Sequence, residues 1–427
     1  MSKSSLATSR KKIQFIEQLR RRCNERGLPQ ADHRHVVHEI YDAPHATPEK
    51  TEEGPIFLGV SNLVNGRLDL SDTEHVSEEG FQKRTSRVTP HGGDIVFSYE
   101  TRLGEAALIP ENLKCCLGRR MGLLRVDREV ADPRYLLYAW LSPEFQRTIH
   151  AQASQGSTVN RILLTELGDY PIRVPPLPVQ RRIADVLGAL DDKIELNRRM
   201  NETLEEMAQT LYYRLFDGAV GGYGVHLDEL VNIKPRMPVP DDDEVLTYVG
   251  MADVERNRMS VTDYGEKEYT SGRRFINGDT LMARITPSLE NGKTAFVDFL
   301  EEGEMAFGST EFTVMRAEEG TSPYFVYCCA RDEDFRDYAI STMTGSSGRQ
   351  RVQENLLGDY AFDGYSQEDM ATFHENAAPL FKLISSNTEE NRTLAETRDY
   401  LLPKLISGEI EVGAADRIAE DTVDASA

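Results

Sequence analysis

The side chains of this chain best placed to do chemistry are hydrogen-bonding groups gathered on short turns. "ARITPSLENGK" puts Arg284, Thr286, Asn291 and Lys293 on a glycine-bearing turn, and "TGSSGRQR" adds Ser346, Ser347, Arg349, Gln350 and Arg351. Earlier in the chain, "SYETRLG" carries Tyr99 and Arg102, "LGRRMG" carries Arg119 and Arg120, and "GSTVNR" carries Ser157, Thr158, Asn160 and Arg161. Guanidinium and ammonium groups pair with guanine edges, carboxamides with adenine, and hydroxyls with phosphates. Any one of these residues alone is more simply ordinary loop polarity. As clusters that recur at equivalent places in two halves of the chain, they are candidates for nucleic-acid contact.

Signatures of bond-making chemistry are missing. There is no G-x-x-x-x-G-K-[ST] phosphate loop, no dinucleotide glycine fingerprint, no H-E-x-x-H and no G-x-S-x-G elbow. "DPRY" at Asp132–Tyr135 lacks the second proline and aromatic setting of an adenine methylase loop, and reads as a helix entrance. Of the nine histidines, only His33, His35 and His38 cluster, without carboxylate or thiol partners at ligand spacing. The five cysteines are Cys23 and the adjacent pairs Cys115–Cys116 and Cys328–Cys329, which suits buried free thiols better than disulfides or zinc. The expectation is a non-catalytic chain with no cofactor and no metal.

Composition sets further bounds. With 427 residues, 39% of them apolar, the chain has room for two or three cored domains, and no stretch has the apolar length of a membrane span. The start, "MSKSSLATSRKK", lacks a signal peptide's apolar core, so a cytoplasmic location is expected. The net charge of −22 repels nucleic acid when taken as a whole. The first 34 residues go against it, with nine Lys or Arg and three acidic residues. Ile13, Ile16, Leu19 and Cys23 there fall at helical spacing, giving a basic amphipathic helix that is either simply solvated or in contact with phosphates.

The two halves repeat. "LGDY" occurs at Leu167–Tyr170 and again at Leu357–Tyr360, and other segments recur in the same order at an offset of about 190. "VHEI" (37–40) lands on "LDEL" (227–230), and "FLGVSNL" (57–63) on "YVGMADV" (248–254), with Gly59 over Gly250. "GDIVFS" (93–98) lands on "GDTLMA" (278–283), "DPRYLLY" (132–138) on "SPYFVYC" (322–328), and "QGST" (155–158) on "TGSS" (344–347). Each copy begins with short apolar runs broken by Gly, Asn and Asp, the pattern of strands and turns. It continues through a helical stretch (134–151; 324–343) into the polar turn. The fold class expected is α+β, with two repeated mixed α/β globules.

A long helix follows each globule. Over 180–216 its seam reads Ile183, Leu187, Leu190, Ile194, Asn197, Asn201, Leu204, Ala208, Leu211 and Leu215. The second copy answers with Leu380, Ile384, Asn387, Asn391, Leu394, Arg398, Leu401 and Leu405, each 190 residues after its counterpart. A polar residue in an apolar seam costs stability but fixes register. Matching notches at Asn197, Asn201, Asn387 and Asn391 are best explained by helices that pair with each other as an antiparallel coiled coil related by a pseudo-twofold axis. A helix of about 35 residues spans roughly 50 Å, enough to hold two reading heads in successive major grooves about 34–36 Å apart.

"PPLPVQRRIADVLGALDDKIELNRRMNETLEEMAQTLYYRLF" (175–216) closely resembles the specificity (S) subunits of type I restriction–modification systems, which carry such a proline-flanked helix between two target recognition domains. "NRTLAETRDYLLPKLISGEIEV" (391–412) resembles that family's second conserved helix. "GDTLMARITPSLENGKTAFVDF" with "GSTEFTVMR" (278–316) resembles one common class of recognition domain, and "EIYDAPHATPEKTEEGPIFLGVSNL" (39–63) looks like the opening of another. The likeness implies recognition domains at 35–176 and 217–374 and spacer helices at 177–216 and 375–411. The basic extension at 1–34 departs from the family by preceding the usual start of the first domain, and an acidic disordered tail is expected at 412–427. The likeness also implies double-stranded DNA as ligand, read as a split target. Two adenine methyltransferase (M) subunits would dock on the helices, and restriction (R) subunits could join them. Pro403 stands where the first helix has Tyr213, so a bend in the last turns is expected. The competing reading is a coiled-coil scaffold whose globules bind proteins.

Overall fold

The computed structural model describes residues 30–32, 36–155, 160–216, 224–241, 243–256, 258–261, 264–346, 348–362 and 365–425. The amino-terminal helix expected around Ile13–Cys23, Cys23 itself, His33 and His35 lie outside them. Contacts divide the chain into two units, Met1–Asp192 with Leu394–Ala427, and Lys193–Thr393.

The first unit is built on a four-stranded antiparallel sheet in the order Val37–Asp42, Met121–Val126, Ile95–Ser98, Ala106–Leu108. A second sheet sets Lys50–Leu58 between Glu74–Val76 and Cys115–Leu117, with the last pairing parallel. The strands are short because turn residues interrupt them, and they hold together because their apolar runs share one core. Leu58, Val96, Ala107, Leu117 and Leu123 are at most 4% exposed within it, each Leu or Val side chain contributing about 1.5–3 kcal/mol by leaving water.

Two short helices follow, Pro133–Leu141 and Pro143–Gln152, where the sequence suggested one stretch. Proline stands at the N1 of each, and Pro143 starts the second helix where the first has ended. Asp132 caps the first, its carboxylate accepting from the backbone N–H of Arg134 (3.0 Å) and Tyr135 (3.1 Å). "DPRY" is therefore a helix entrance.

The second unit repeats this plan. Its antiparallel sheet runs Val231–Ile233, Phe312–Ala317, Thr280–Ala283, Thr294–Phe296, and its other sheet sets Val245–Val249 beside Ala306–Gly308 in parallel. Helices Pro323–Arg331 and Glu333–Ser341 match the earlier pair. The LGDY segments form the same turn, Tyr170 N donating to Leu167 O (3.1 Å) and Tyr360 N to Leu357 O (3.2 Å).

Two of the expected matches shift. "VHEI" begins a strand while "LDEL" is one helical turn, Leu227–Leu230, so the counterpart of Val37–Asp42 is the strand after it, Val231–Ile233. The polar turns align one residue further on, because Ser154 pairs with Arg161 as Thr344 pairs with Arg351. In both cases strand pairing outweighs local similarity of residue type.

The long helices span Leu177–Phe216 and Gln367–Ser407. The first contributes its residues up to Asp192 to the first unit and the rest to the second; the other helix divides after Thr393. Within each unit the segments run antiparallel, Asn197 meeting Asn391 and Asn201 meeting Asn387 in one, Asp191 meeting Arg398 in the other. Ile183, Leu187, Leu190, Ile194, Ala208, Ile384, Leu394, Leu401 and Leu405 are all buried, as the seam requires. Helix continues past Pro403 to Ser407.

The tail expected to be disordered is instead helical over Val412–Ala425. Its acidic residues hid an apolar stripe. Ala415 and Ala419 are buried, Asp416 pairs with Arg182 (3.4 Å), and Thr422 lies 3.4 Å from Thr397, so the segment docks on the helices of the first unit.

Candidate nucleic-acid interface

Each domain has one strand end where three chain segments come together, and the backbone pattern is the same in both. In the first, Tyr99 N donates to Arg120 O (3.1 Å) and Tyr99 O accepts from Ile162 N (2.9 Å). In the second, Arg284 N donates to Glu311 O (2.9 Å) and Arg284 O accepts from Val352 N (2.9 Å). Glu100 bridges Arg161 just as Ile285 bridges Arg351. The topology thus superimposes Tyr99 on Arg284, Arg120 on Glu311 and Arg161 on Arg351.

The side chains on this shared frame differ. Tyr99 is buried, its hydroxyl donating to Asp42 (3.0 Å), and burial together with that carboxylate pushes its pKa up. Arg120 has φ 66° and reaches Thr101 Oγ1 (3.1 Å) and Glu100 (3.5 Å). Thr101 too lies in the left-handed region, at φ 72°, uncommon for a β-branched residue and a sign of a constrained turn. Arg119 and Arg161 are exposed, with no side-chain partner among the described residues, as is Asn160. Arg102 pairs with Glu105 (3.3 Å). Ser157 and Thr158 lie outside the described residues.

In the second domain the predicted cations are mostly neutralised. Arg351 grips Glu311 through two nitrogens, the shortest contact 2.6 Å, and that hydrogen bond holds the Glu311 carboxyl below its ordinary pKa. Arg284 donates to Glu354 (3.0 Å), which also receives Arg273 (2.9 Å) and the Thr313 hydroxyl (3.1 Å), with Lys234 3.9 Å away. Lys293 donates to Met251 O (2.7 Å), and burial lowers its pKa. The Thr286 hydroxyl reaches Gln350 O (3.4 Å), while Asn291 N donates to Pro287 O (3.0 Å) within a turn. Gln350 is half-buried; Ser346 and Arg349 are exposed at the hairpin tip, and Ser347 lies outside the described residues.

The structure therefore brings together Arg119, Arg120, Asn160 and Arg161 in one domain, and Arg284, Thr286, Gln350 and Arg351 in the other. Sequence reasoning missed the carboxylates that decide which arginines are available, Glu100, Glu311 and Glu354. Nothing in their spacing signals that role, because the pairings cross up to 81 residues of chain. A cleft of about 260 Å³ opens beside the first edge, lined by Thr47, Lys50, Phe57, Thr101, Arg119 and Arg120 among others.

Among the described residues no group of His, Cys, Asp or Glu is arranged to hold a metal ion. Cys115, Cys116, Cys328 and Cys329 are buried free thiols. Among the same residues, no helix is long and apolar enough to cross a membrane.

Residues 46–206 match the family model for the type I restriction modification DNA specificity domain. Across most of its length the chain is similar to the HindI specificity subunit of Haemophilus influenzae, at 19% identity over 83% of this chain and 94% of that protein. It is also similar to the MjaIX specificity subunit of Methanocaldococcus jannaschii, at 21% identity over 79% and 82%. With the EcoEI specificity subunit of Escherichia coli it shares 24% identity over 48% of this chain, spanning only 35% of that relative. Its fold is that of the crystal structure of a type I restriction–modification S subunit from M. genitalium, with a TM-score of 0.53 at 16% identity over 90% of this chain and 97% of the other. By its repeated domains, its paired helices and these relatives, the chain resembles the type I restriction–modification specificity subunits, and its residues 46–206 carry the match to their DNA specificity domain.

Proposed function

We propose that this chain is the DNA sequence-specificity subunit of a type I restriction–modification complex. Each domain reads one half of a split double-stranded target, and the long helices set the gap between the halves. The chain supplies recognition and no chemistry. Methylation of adenine is done by M subunits, two per complex, docked on the helices, and R subunits add cleavage where they are present. The complex works in the cytoplasm. One observation carries the reading. The same backbone frame recurs in both domains at the ends of equivalent strands, and it presents hydrogen-bonding side chains that differ between the two. A duplicated scaffold with divergent contact residues is what two different half-sites require.

The net charge of −22 fits a subunit that does not bind DNA alone. Local arginines and the M subunits supply the positive surface, and salt screens the remaining repulsion beyond about 10 Å. Tight, specific binding by the isolated chain at moderate salt would contradict this account.

The test is adenine methylation mapped across the host genome, with and without this gene. Loss of methylation at one motif of two short halves and a fixed gap supports the proposal. Unchanged methylation favours the protein-binding scaffold.

A further inference from the structure

The same frame is electrostatically open in one domain and closed in the other. In the second domain Glu311 stands opposite Arg351 and accepts from both its Nη2 and its Nε, at 2.6 and 2.9 Å. The first domain has Arg120 in the place of Glu311 and Arg161 in the place of Arg351, so two guanidinium groups flank one strand end. Among the described residues, the carboxylate beside Arg120 is Glu100, 3.5 Å from its Nε, and the Thr101 hydroxyl accepts from Arg120 as well. Arg161 is exposed, with no side-chain partner among the described residues.

Held arginine and free arginine have different uses. Arg120 is fixed in direction by Thr101 and Glu100, on a turn whose Gly118 leaves no room for a side chain, since an added Cβ would meet Leu58 O at 2.5 Å. Its position is set before any ligand arrives, which lowers the entropy lost on binding. Arg161, on the neighbouring hairpin strand, keeps its whole fork available. A planar fork of parallel N–H donors matches the O6 and N7 acceptors of guanine in the major groove, a pairing that adenine, cytosine and thymine cannot return.

We propose that Arg161, backed by Arg120, is the guanine-reading element of the first domain, and that the Glu311–Arg351 ion pair withholds this mode of reading from the second. The assignment rests on the DNA-reading function proposed above.

The test uses the full chain assembled with its methyltransferase subunits in the native host, with the methylated motif determined for wild type, Arg161→Ala, Arg161→Lys and Arg120→Glu. Arg161→Ala is expected to relax one guanine position in a single half-site by roughly tenfold to a hundredfold, leaving the other half and the gap unchanged. Arg161→Lys is expected to relax it similarly, because it keeps the charge and loses the fork. Arg120→Glu, which copies the second domain, is expected to do the same by pairing with Arg161. Since these side chains are on the surface, melting temperatures should match wild type. A wild-type split motif that all three variants retain overturns this assignment alone. So does a uniform loss across sequences in Arg161→Ala that Arg161→Lys rescues, the signature of a phosphate contact. Absence of any split motif in the wild type overturns the specificity reading itself.

Discussion

Asn197 Nδ2 donates to Asn391 Oδ1 at 3.1 Å, and Asn387 Nδ2 donates to Asn201 Oδ1 at 2.8 Å. Each pair joins a first-repeat notch to the non-equivalent notch of the second, which is what a twofold exchange of the two helices produces. Asn197 is fully buried and also donates to Glu390 (2.7 Å), whose carboxylate lies 3.2 Å from Lys193.

Asn197→Leu is expected to destabilise the protein by about 1–3 kcal/mol, because it strands Glu390 and Asn391 without their donor. The double variant Asn197→Leu/Asn391→Leu should cost less than the sum of the two single changes, with a coupling of roughly 0.5–2 kcal/mol. Chemical denaturation of the four proteins checks this. Strict additivity would show that the notch carries no register information.

Asp298 is half-buried with the Ser385 hydroxyl as its partner, and loss of solvent around its carboxyl raises its pKa to about 6. The folded protein thus holds this proton more tightly than the unfolded chain does. Stability from this group is present at low pH and is lost as pH rises from about 4 through 6. Asp298→Asn should therefore leave stability near pH 4 little changed and raise it above pH 7 by up to about 3 kcal/mol. Melting temperatures of variant and wild type across this range decide it, and a difference independent of pH would contradict the prediction.

Arg316 grips Asp279 with two contacts of 2.6 Å, as Arg125 grips Asp94 at the equivalent place in the first domain. Burial raises the pKa of the Asp279 carboxyl, and the Arg316 hydrogen bonds offset part of that rise. Arg316→Met should destabilise the second domain by about 3–5 kcal/mol by leaving a buried charge unpaired. Asp279→Asn combined with Arg316→Met should recover part of that loss. Unfolding by urea measures both.

The carboxyl-terminal helix should be a structural part of the first unit. Ala415→Asp places a charge at a fully buried position and is expected to lower stability by about 2 kcal/mol or more, while Glu420→Lys on the exposed face should change it little. Limited proteolysis gives a second readout, with cleavage after 411 accelerated only in Ala415→Asp. Equal resistance of both variants would mean that the segment contributes nothing.

Much of this protein was legible in its sequence because repetition states a relation twice. The seam residues, the Asn notches, the strands at Ile95–Ser98 and Thr280–Ala283, and the helix entrances at Asp132 and Ser322 all follow from local periodicity or from an offset near 190. Apolar spacing and capping are short-range, so a linear reading recovers them. The same short range explains the misses. The acidic tail read as disordered because its apolar residues are mostly small and are interrupted by acidic ones, while Ala415 and Ala419 gain burial only from helices already in place. "VHEI" and "LDEL" looked alike, yet pairing with a distant strand made one of them β structure. Only the tertiary structure decided which arginines are spent on internal carboxylates. Glu311 meets Arg351 across 40 residues and Glu354 meets Arg273 across 81, and an ion pair depends on distance in space, which the sequence does not contain.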